Sequence, residues 1–246
     1  MRVAVLASGG GTNLQSLLDT CRPPAKASVV LVASNKSSAG ALDRARAADA
    51  ATAVLDDPSD GDALGALLEH HRIDLVVLAG YLKLIPESVV TAFAGRILNI
   101  HPALLPSFGG QGMYGMRVHR AVIESGATIS GVTVHVVDPA YDEGPIVAQW
   151  PVPVRPDDTA EDLADRVLEV EHQLLPAVVL AAAEAGTVTR LPFDTYSFAI
   201  DPTPANVAAA FGRQGLRGGG GSSRRRPGGR GSCRRGRSRH VAGGDG

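Results

Sequence analysis

The chain has 246 residues, with 24 Lys and Arg against 25 Asp and Glu, so its formal net charge is -1. Hydrophobic residues make up 44% of it and charged residues 20%, which is typical of a soluble globular protein and excludes a fibrous repeat or a wholly disordered chain. No apolar run approaches the roughly 18–20 residues of a membrane span, so no membrane partner is expected.

The first half of the chain alternates short apolar runs with longer helical segments. Runs dominated by Val, Leu and Ile, as in strands buried on both faces of a sheet, occur at residues 2–7, 28–33, 52–55, 74–79 and 96–100. Helical patterns lie between them at residues 13–21, 38–49 and 60–71. This alternation predicts βαβ units, and therefore an α/β protein with a mostly parallel sheet and helices on both faces.

The second half has a different pattern. Residues 128–138 and 145–154 are predicted strands with no helix between them. Their six-residue link, Pro139 to Gly144, is too short for a parallel crossover and favours an antiparallel pair at the C-terminal end of the sheet. Residues 158–185 follow as a long predicted helix, with polar and acidic residues at its start.

The near-neutral charge is the sum of two unlike parts. Residues 1–211 hold 14 basic and 24 acidic residues, whereas residues 212–246 hold ten Arg, 13 Gly and one Asp. The second segment cannot bury enough apolar surface to offset the entropy lost on ordering. We therefore predict a folded domain over residues 1–200 and a disordered Arg/Gly-rich tail over residues 201–246.

Neither a targeting signal nor a metal site is evident in the sequence. The apolar run at residues 2–7 is too short for the core of a signal peptide. Cys21 and Cys233 are too few for a disulfide framework, and no CxxC motif or Cys/His cluster suggests zinc. A cytoplasmic protein without a metal is expected.

A glycine-rich turn follows the first predicted strand, at residues 8–13 (SGGGTN). Such a turn exposes backbone N–H groups beside a helix N-terminus, where a phosphate binds readily. It is not a P-loop, since no Gly-Lys-Ser/Thr follows, and Leu14 occupies the third glycine position of the dinucleotide fingerprint. We favour a small phosphorylated ligand here over a tight turn that merely needs a positive φ.

The densest polar cluster follows the fifth predicted strand, at residues 99–108 (NIHPALLPSF). Asn99 and His101 are two residues apart, so their side chains share one face of the strand. Ligands of open α/β sheets bind outside the carboxyl ends of the strands. An amide and an imidazole there could stabilise an oxyanion and move a proton, although a structural histidine is an equal alternative.

Asp142 lies in the link between the last two predicted strands. It is either a turn residue or, if the link folds over the sheet, a carboxylate that meets His101 and raises the pKa of its imidazole. His135, on the preceding strand, has a similar ambiguity. We expect it to support the residues that contact the substrate without contacting the substrate itself.

Five segments, taken in order, resemble the folate-dependent formyltransferase family, and within it the phosphoribosylglycinamide formyltransferases. The resemblance covers about residues 1–195 and each segment alone is only moderately specific. The segments are residues 9–15 (GGGTNLQ), 78–81 (LAGY), 99–108, 132–135 (VTVH) and 142–145 (DEGP).

The resemblance implies a Rossmann-like formyltransferase fold, the co-substrate 10-formyltetrahydrofolate and a place in purine biosynthesis. The acceptor would be the amine of 5-phosphoribosylglycinamide. The family's catalytic trio falls on Asn99, His101 and Asp142. The remaining implied contacts are Gly11, Thr12, Asn13 and Glu171 for the acceptor, and Leu82, Lys83, Leu84, Ile85 and Asn99 for the folate.

In the implied mechanism, the glycinamide amine attacks the formyl carbon and a tetrahedral intermediate forms. Asn99 and a protonated His101 would stabilise its oxygen, His101 would relay a proton, and Asp142 would keep His101 charged. The sequence departs from the family at residues 56–60 (DDPSD), where some members carry a basic residue that helps bind the folate.

Related enzymes share the Asn-x-His core and are the nearest alternatives. Methionyl-tRNA formyltransferase needs an extra C-terminal tRNA-binding domain, which residues 196–246 are not expected to form. Formyltetrahydrofolate hydrolases usually carry an N-terminal regulatory domain, whereas here the catalytic pattern starts at Met1. The glycine-rich turn also favours a phosphorylated acceptor. Small-molecule substrates and a monomer or homodimer are expected.

An alternative of another class is an RNA-associated protein that acts through its tail. Arg interspersed with Gly can bind nucleic acid electrostatically. No aromatic residue in 212–246 is available to stack on bases. A solvated extension is therefore the preferred interpretation of the tail.

Overall fold

A computed structural model describes residues 1–191, which form a seven-stranded sheet flanked by helices. The strands are Arg2–Leu6 (β1), Ser28–Ser34 (β2), Ala51–Val54 (β3), Leu75–Leu78 (β4), Ile97–His101 (β5), Ile129–Val136 (β6) and Ile146–Pro153 (β7). The helices are Thr12–Thr20 (α1), Gly40–Ala47 (α2), Gly61–His70 (α3), Glu87–Ala92 (α4), Met116–Ser125 (α5) and Ala160–Ala185 (α6).

The sheet has the order β3-β2-β1-β4-β5-β6-β7. The pairs from β3 to β5 are parallel, and β5–β6 and β6–β7 are antiparallel. The predicted fold, a mostly parallel sheet with an antiparallel pair at its C-terminal end, is confirmed. Strand β5 is therefore the place where the direction of the neighbouring strand changes.

Both faces of the sheet are buried, because alternate side chains of each central strand enter different cores. In β1, Val3 and Val5 pack on the face covered by α1, α2, α5 and α6, whereas Ala4 and Leu6 pack on the face covered by α3 and α4. This two-sided burial explains why the central strands are nearly continuous apolar runs.

The long predicted helix is present as α6 and begins with a reciprocal cap. The Thr159 hydroxyl accepts from the Asp162 N–H at 3.1 Å, and the Asp162 carboxylate accepts from the Thr159 N–H at 2.9 Å. The helix ends at Gly186, whose φ of 72° is the left-handed conformation common after a helix. Its apolar face packs on the antiparallel strands and on α1.

Two helices, α4 and α5, were absent from the sequence prediction. Helix α4 has only six residues, fewer than two turns, so no periodicity can develop. Helix α5 buries Val118, His119 and Val122 on one face, a helical spacing that the sequence prediction did not use.

Part of the sequence prediction falls beyond the described residues. The boundary at residue 200 and the disorder predicted for residues 201–246 both lie there. Within residues 1–191, no helix combines the length and apolarity needed to cross a bilayer.

Candidate active site

A cleft of about 570 Å³ collects segments that are far apart in the chain. Its walls come from the turn after β1, the segment after β4, strand β5, residues 110–116, the β6–β7 link and helix α6. Every site residue expected from the sequence lines this cleft: Gly11, Thr12, Asn13, Leu82, Lys83, Leu84, Ile85, Asn99, His101, His135, Asp142 and Glu171.

The glycine-rich turn forms part of the wall of the cleft. Gly11 has a φ of 75°, and a Cβ atom there would lie 2.8 Å from both the Cα and the Cβ of Ala41. Glycine is therefore required at Gly11 by both the backbone and the packing. Helix α1 begins directly afterwards at Thr12, so its unpaired first-turn N–H groups lie at the cleft. The need for glycine in the turn is therefore compatible with a role in binding an anion.

His101 is buried at the end of β5, with its ring held from both sides. Its Nε2 lies 2.8 Å from the carbonyl oxygen of Phe108, which can only accept, so Nε2 carries a hydrogen. Its Nδ1 lies 3.5 Å from the Asp142 carboxylate. Nδ1 is therefore the atom that gains or loses a proton, and it does so beside a negative charge.

The pKa of His101 has the opposite direction from that expected from Asp142 alone. Burial lowers the pKa of the imidazole, and this effect outweighs the upward effects of Asp142 and the Phe108 carbonyl. The contact predicted from the sequence is present, and Asp142 acts in the expected direction. The net result is nevertheless a neutral His101 at pH 7 in the free protein.

Asp142 contacts four polar groups around the cleft. Its carboxylate accepts from the Gly110 N–H at 3.0 Å and from Asn99 Nδ2 at 3.3 Å, and it lies 3.4 Å from His135 Nε2. Burial raises the pKa of Asp142, but the neighbouring His135 and His101 rings and the Gly110 N–H outweigh it, so the pKa falls below the ordinary aspartate value. Asp142 is therefore ionised at neutral pH.

His135 holds the Asn99 side chain. The two residues are directly opposite each other in the β5–β6 ladder. His135 Nδ1 lies 3.0 Å from the Val136 carbonyl oxygen. Its Nε2 lies 3.0 Å from Asn99 Nδ2 and 3.4 Å from the Asp142 carboxylate. The amide of Asn99 is thus fixed between His135 and Asp142.

His119 is a site residue that the sequence analysis missed, because no element was predicted over residues 116–125. It is 5% exposed, it lines the cleft, and its Nδ1 is buried without a hydrogen-bond partner within the described residues. Burial, and then the neighbouring His101, lower the pKa of its ring. The signal that could have revealed it is its three-residue spacing from Val122 on one helix face.

Glu171 and Asn13 form a second buried polar pair near the glycine-rich turn. Asn13 Nδ2 donates to the Glu171 carboxyl at 2.7 Å, and Asn13 Oδ1 is buried without a partner within the described residues. Burial raises the pKa of Glu171 to about 7, although the hydrogen bond from Asn13 opposes this. The free Oδ1 and the acid together offer acceptors to an incoming hydroxyl or ammonium group.

Replacing Glu171 with Gln is expected to remove a pH-dependent loss of stability. The folded pKa is about 7 against an ordinary 4.5, so the stability that the neutral acid contributes is complete below pH 4.5 and is lost as the pH rises through 7. Gln stays neutral and can still accept from Asn13. Urea unfolding should find the two proteins equal near pH 4, and the variant more stable at pH 8.5 by on the order of 3 kcal/mol. The exposed Glu169→Gln on the same helix should show no such difference, and equal unfolding free energies of E171Q and wild type at pH 8.5 would contradict the assignment.

The segment expected to hold the folate forms an apolar mouth to the cleft. Leu82 and Leu84 are 44% and 47% exposed, whereas Ile85 is buried. Tyr114 and Tyr141 are also exposed at the lining of the cleft. The Leu82 N–H already donates to the Ser8 hydroxyl at 3.0 Å, so this backbone donor is not available to a ligand.

The acidic stretch at residues 56–60 has local structural roles. Asp57 accepts from Ser59, and Asp60 caps helix α3 by accepting from the Ala63 N–H at 2.9 Å. None of these side chains lines the cleft. Within residues 1–191, no group of three or more His, Cys, Asp or Glu side chains is placed to hold a metal ion.

Comparisons with known proteins agree with the resemblance found in the sequence. A family model described as formyl transferase matches residues 1–179. The chain is 47% identical over 191 residues to a phosphoribosylglycinamide formyltransferase, chloroplastic, of Arabidopsis thaliana, which covers 74% of this chain and 65% of the relative. A relative with the same name from Vigna unguiculata is 46% identical, with 77% and 63% covered. The chain thus spans a little under two thirds of the length of these plant relatives.

A solved structure agrees with both the fold and the sequence. The glycinamide ribonucleotide transformylase 1 of Symbiobacterium toebii superposes with a TM-score of 0.70 at 42% identity, and the match covers 75% of this chain and 88% of that one.

Proposed function

This chain belongs to the formyl transferase family, and we propose that it transfers a formyl group from 10-formyltetrahydrofolate to the amine of 5-phosphoribosylglycinamide, a step of purine biosynthesis. The observation that carries the proposal is the continuity of one cleft. The glycine-rich turn, the trio of Asn99, His101 and Asp142, and the apolar mouth at residues 82–85 all line it. A phosphorylated acceptor and a flat aromatic donor would therefore meet beside the trio.

The acceptor fits the part of the cleft that is lined by the glycine-rich turn and α6. The N–H groups around Gly11 and Thr12 suit a phosphate dianion. The buried Asn13 Oδ1 has no donor within the described residues, and a sugar hydroxyl or an amine would supply one beside the Glu171 carboxyl, which accepts from Asn13 Nδ2. Leaving such groups unpaired costs about 1–3 kcal/mol, which a bound acceptor would recover. The names of the plant and bacterial relatives support this choice of acceptor.

The geometry also supports a role for each member of the trio. Attack of the amine forms the new N–C bond and places negative charge on the formyl oxygen. Asn99 Nδ2, whose longer hydrogen bond is the 3.3 Å contact with Asp142, would turn one N–H to that oxygen. The proton released by the amine would pass to Nδ1 of the neutral His101, beside the Asp142 carboxylate. It would then be delivered to the folate nitrogen as the C–N bond to the donor breaks.

This mechanism differs from the sequence-based one in when His101 is charged. A mechanism that needs His101 to be protonated before the amine attacks is opposed by burial, because burial lowers the pKa of the ring. In the proposed mechanism the imidazolium exists only after the amine has released its proton, and Asp142 stabilises it at that moment. Burial therefore keeps the His101 ring neutral before the amine attacks, and Asp142 stabilises the imidazolium after the amine has released its proton.

The proposal is tested by a formyl-transfer assay with both substrates, with the formylated product measured by mass spectrometry. Product formation that requires 5-phosphoribosylglycinamide is expected. Formate release at the same rate without any amine would instead identify a formyltetrahydrofolate hydrolase. Transfer to another amine but not to this one would refute the choice of acceptor.

Three sequence predictions stay predictions. They are the cytoplasmic location, the monomeric or homodimeric state, and the alternative of RNA binding through the tail.

A further inference from the structure

Arg44 is joined to the glycine-rich turn from a different helix. It lies in α2 and does not line the cleft. Its Nε donates to the Gly10 carbonyl oxygen at 2.8 Å, and its Nη1 donates to Gln15 Oε1 at 3.0 Å. One guanidinium therefore connects the turn to the helix that follows it.

The start of α2 holds the turn at two further points. The Ala41 N–H donates to the Gly9 carbonyl oxygen at 3.1 Å, and Gly11 packs so closely on Ala41 that it has no room for a side chain. The carbonyl groups of both Gly9 and Gly10 are thus turned toward α2.

This arrangement determines where the N–H groups of the turn point. In a trans peptide the carbonyl of one residue and the N–H of the next point in opposite directions. With the Gly9 and Gly10 carbonyls held by α2, the N–H groups of Gly10 and Gly11 point away from α2. Both residues line the cleft, so these donors are available to a ligand there.

We propose that Arg44 is a positioning residue that fixes the glycine-rich turn in its phosphate-binding conformation and so determines the affinity for the phosphorylated acceptor. The identity of the acceptor rests on the proposed function, whereas phosphate binding by the turn does not. Arg44 acts through the Gly10 carbonyl and does not touch the ligand. Without it, the Gly10 carbonyl loses the donor that holds it, and the Gly10–Gly11 peptide is less constrained.

The test compares Arg44→Met, Arg44→Lys and the control Arg46→Met. Arg46 is on the same helix, but it is exposed and its ion pair is with Asp43. Calorimetric titration with ribose 5-phosphate should show binding weakened about 10- to 100-fold in R44M, the range expected for losing charge-assisted hydrogen bonds. R44K should recover part of this loss because lysine can reach one of the two acceptors, and R46M should bind like the wild type.

Kinetics separates positioning from general destabilisation. R44M should raise the KM for 5-phosphoribosylglycinamide about as much as it weakens ribose 5-phosphate binding, with kcat and the KM for the folate within twofold of wild type. Unchanged ribose 5-phosphate affinity in R44M overturns the proposal, as does an equal loss in R46M or a parallel rise in both KM values. If the wild type binds ribose 5-phosphate but does not formylate the glycinamide, the proposed function fails and the role of Arg44 is still tested by titration.

Discussion

Replacing Asp142 with Asn is expected to lower kcat about 10³-fold, within the usual range for loss of acid–base catalysis, with little change in either KM. The carboxylate is the negative charge beside His101 Nδ1, the atom that receives the proton in the proposed mechanism. Asn preserves the shape of the side chain and can still accept from the Gly110 N–H. The loss should therefore appear in the chemical step.

A matched control for Asp142→Asn is available one residue away. Glu143 is exposed and does not line the cleft, so Glu143→Gln removes the same charge without touching the site. In steady-state kinetics, the kcat of D142N should be about 10³-fold lower than that of E143Q. Turnover of D142N within tenfold of wild type would show that the carboxylate does not support the proton transfer.

Replacing His101 with Ala is expected to reduce kcat by about 10²–10³-fold and to change the pH profile. Burial holds the pKa of His101 below its ordinary 6.5. Because only the neutral ring can accept a proton, kcat/KM of the wild type should fall as the pH decreases through that lowered pKa and should stay level above it. The alanine variant should lose this acidic limb.

The control for His101→Ala is His70→Ala, an exposed histidine at the end of α3. It should keep the wild-type rate and pH profile. An acidic limb that persists unchanged in H101A would assign the titration to another group in the cleft, such as His119.

The strands and the long helix were predictable because their signals are local. Continuous apolar runs identified β1 and β2 to within about a residue, and the polar start of α6 matched its cap. The antiparallel pair followed from the shortness of the link around Asp142. Helix α5 has Val118 and Val122 at the four-residue spacing of one helix face, but this signal was not used, and His119 was missed with it.

The site was only partly predictable, because some of its properties depend on contacts between residues that are far apart in the chain. Asn99, His101 and Asp142, the trio that the resemblance implies, line one cleft. The direction of the His101 pKa depends on how deeply the ring is buried, which is set by residues from several elements. The role of Arg44 depends on contacts across 29 and 34 positions of the chain.

The backbone at Asp142 restricts which residues this position can accept during divergence. Its φ of 58° lies in the left-handed region, which Gly, Asn and Asp enter most readily among the amino acids. Of these three, only Asp carries a carboxylate. Replacement of Asp142 by Glu is therefore opposed by the backbone conformation as well as by the longer side chain, so few residues other than Asp can supply a carboxylate at this position.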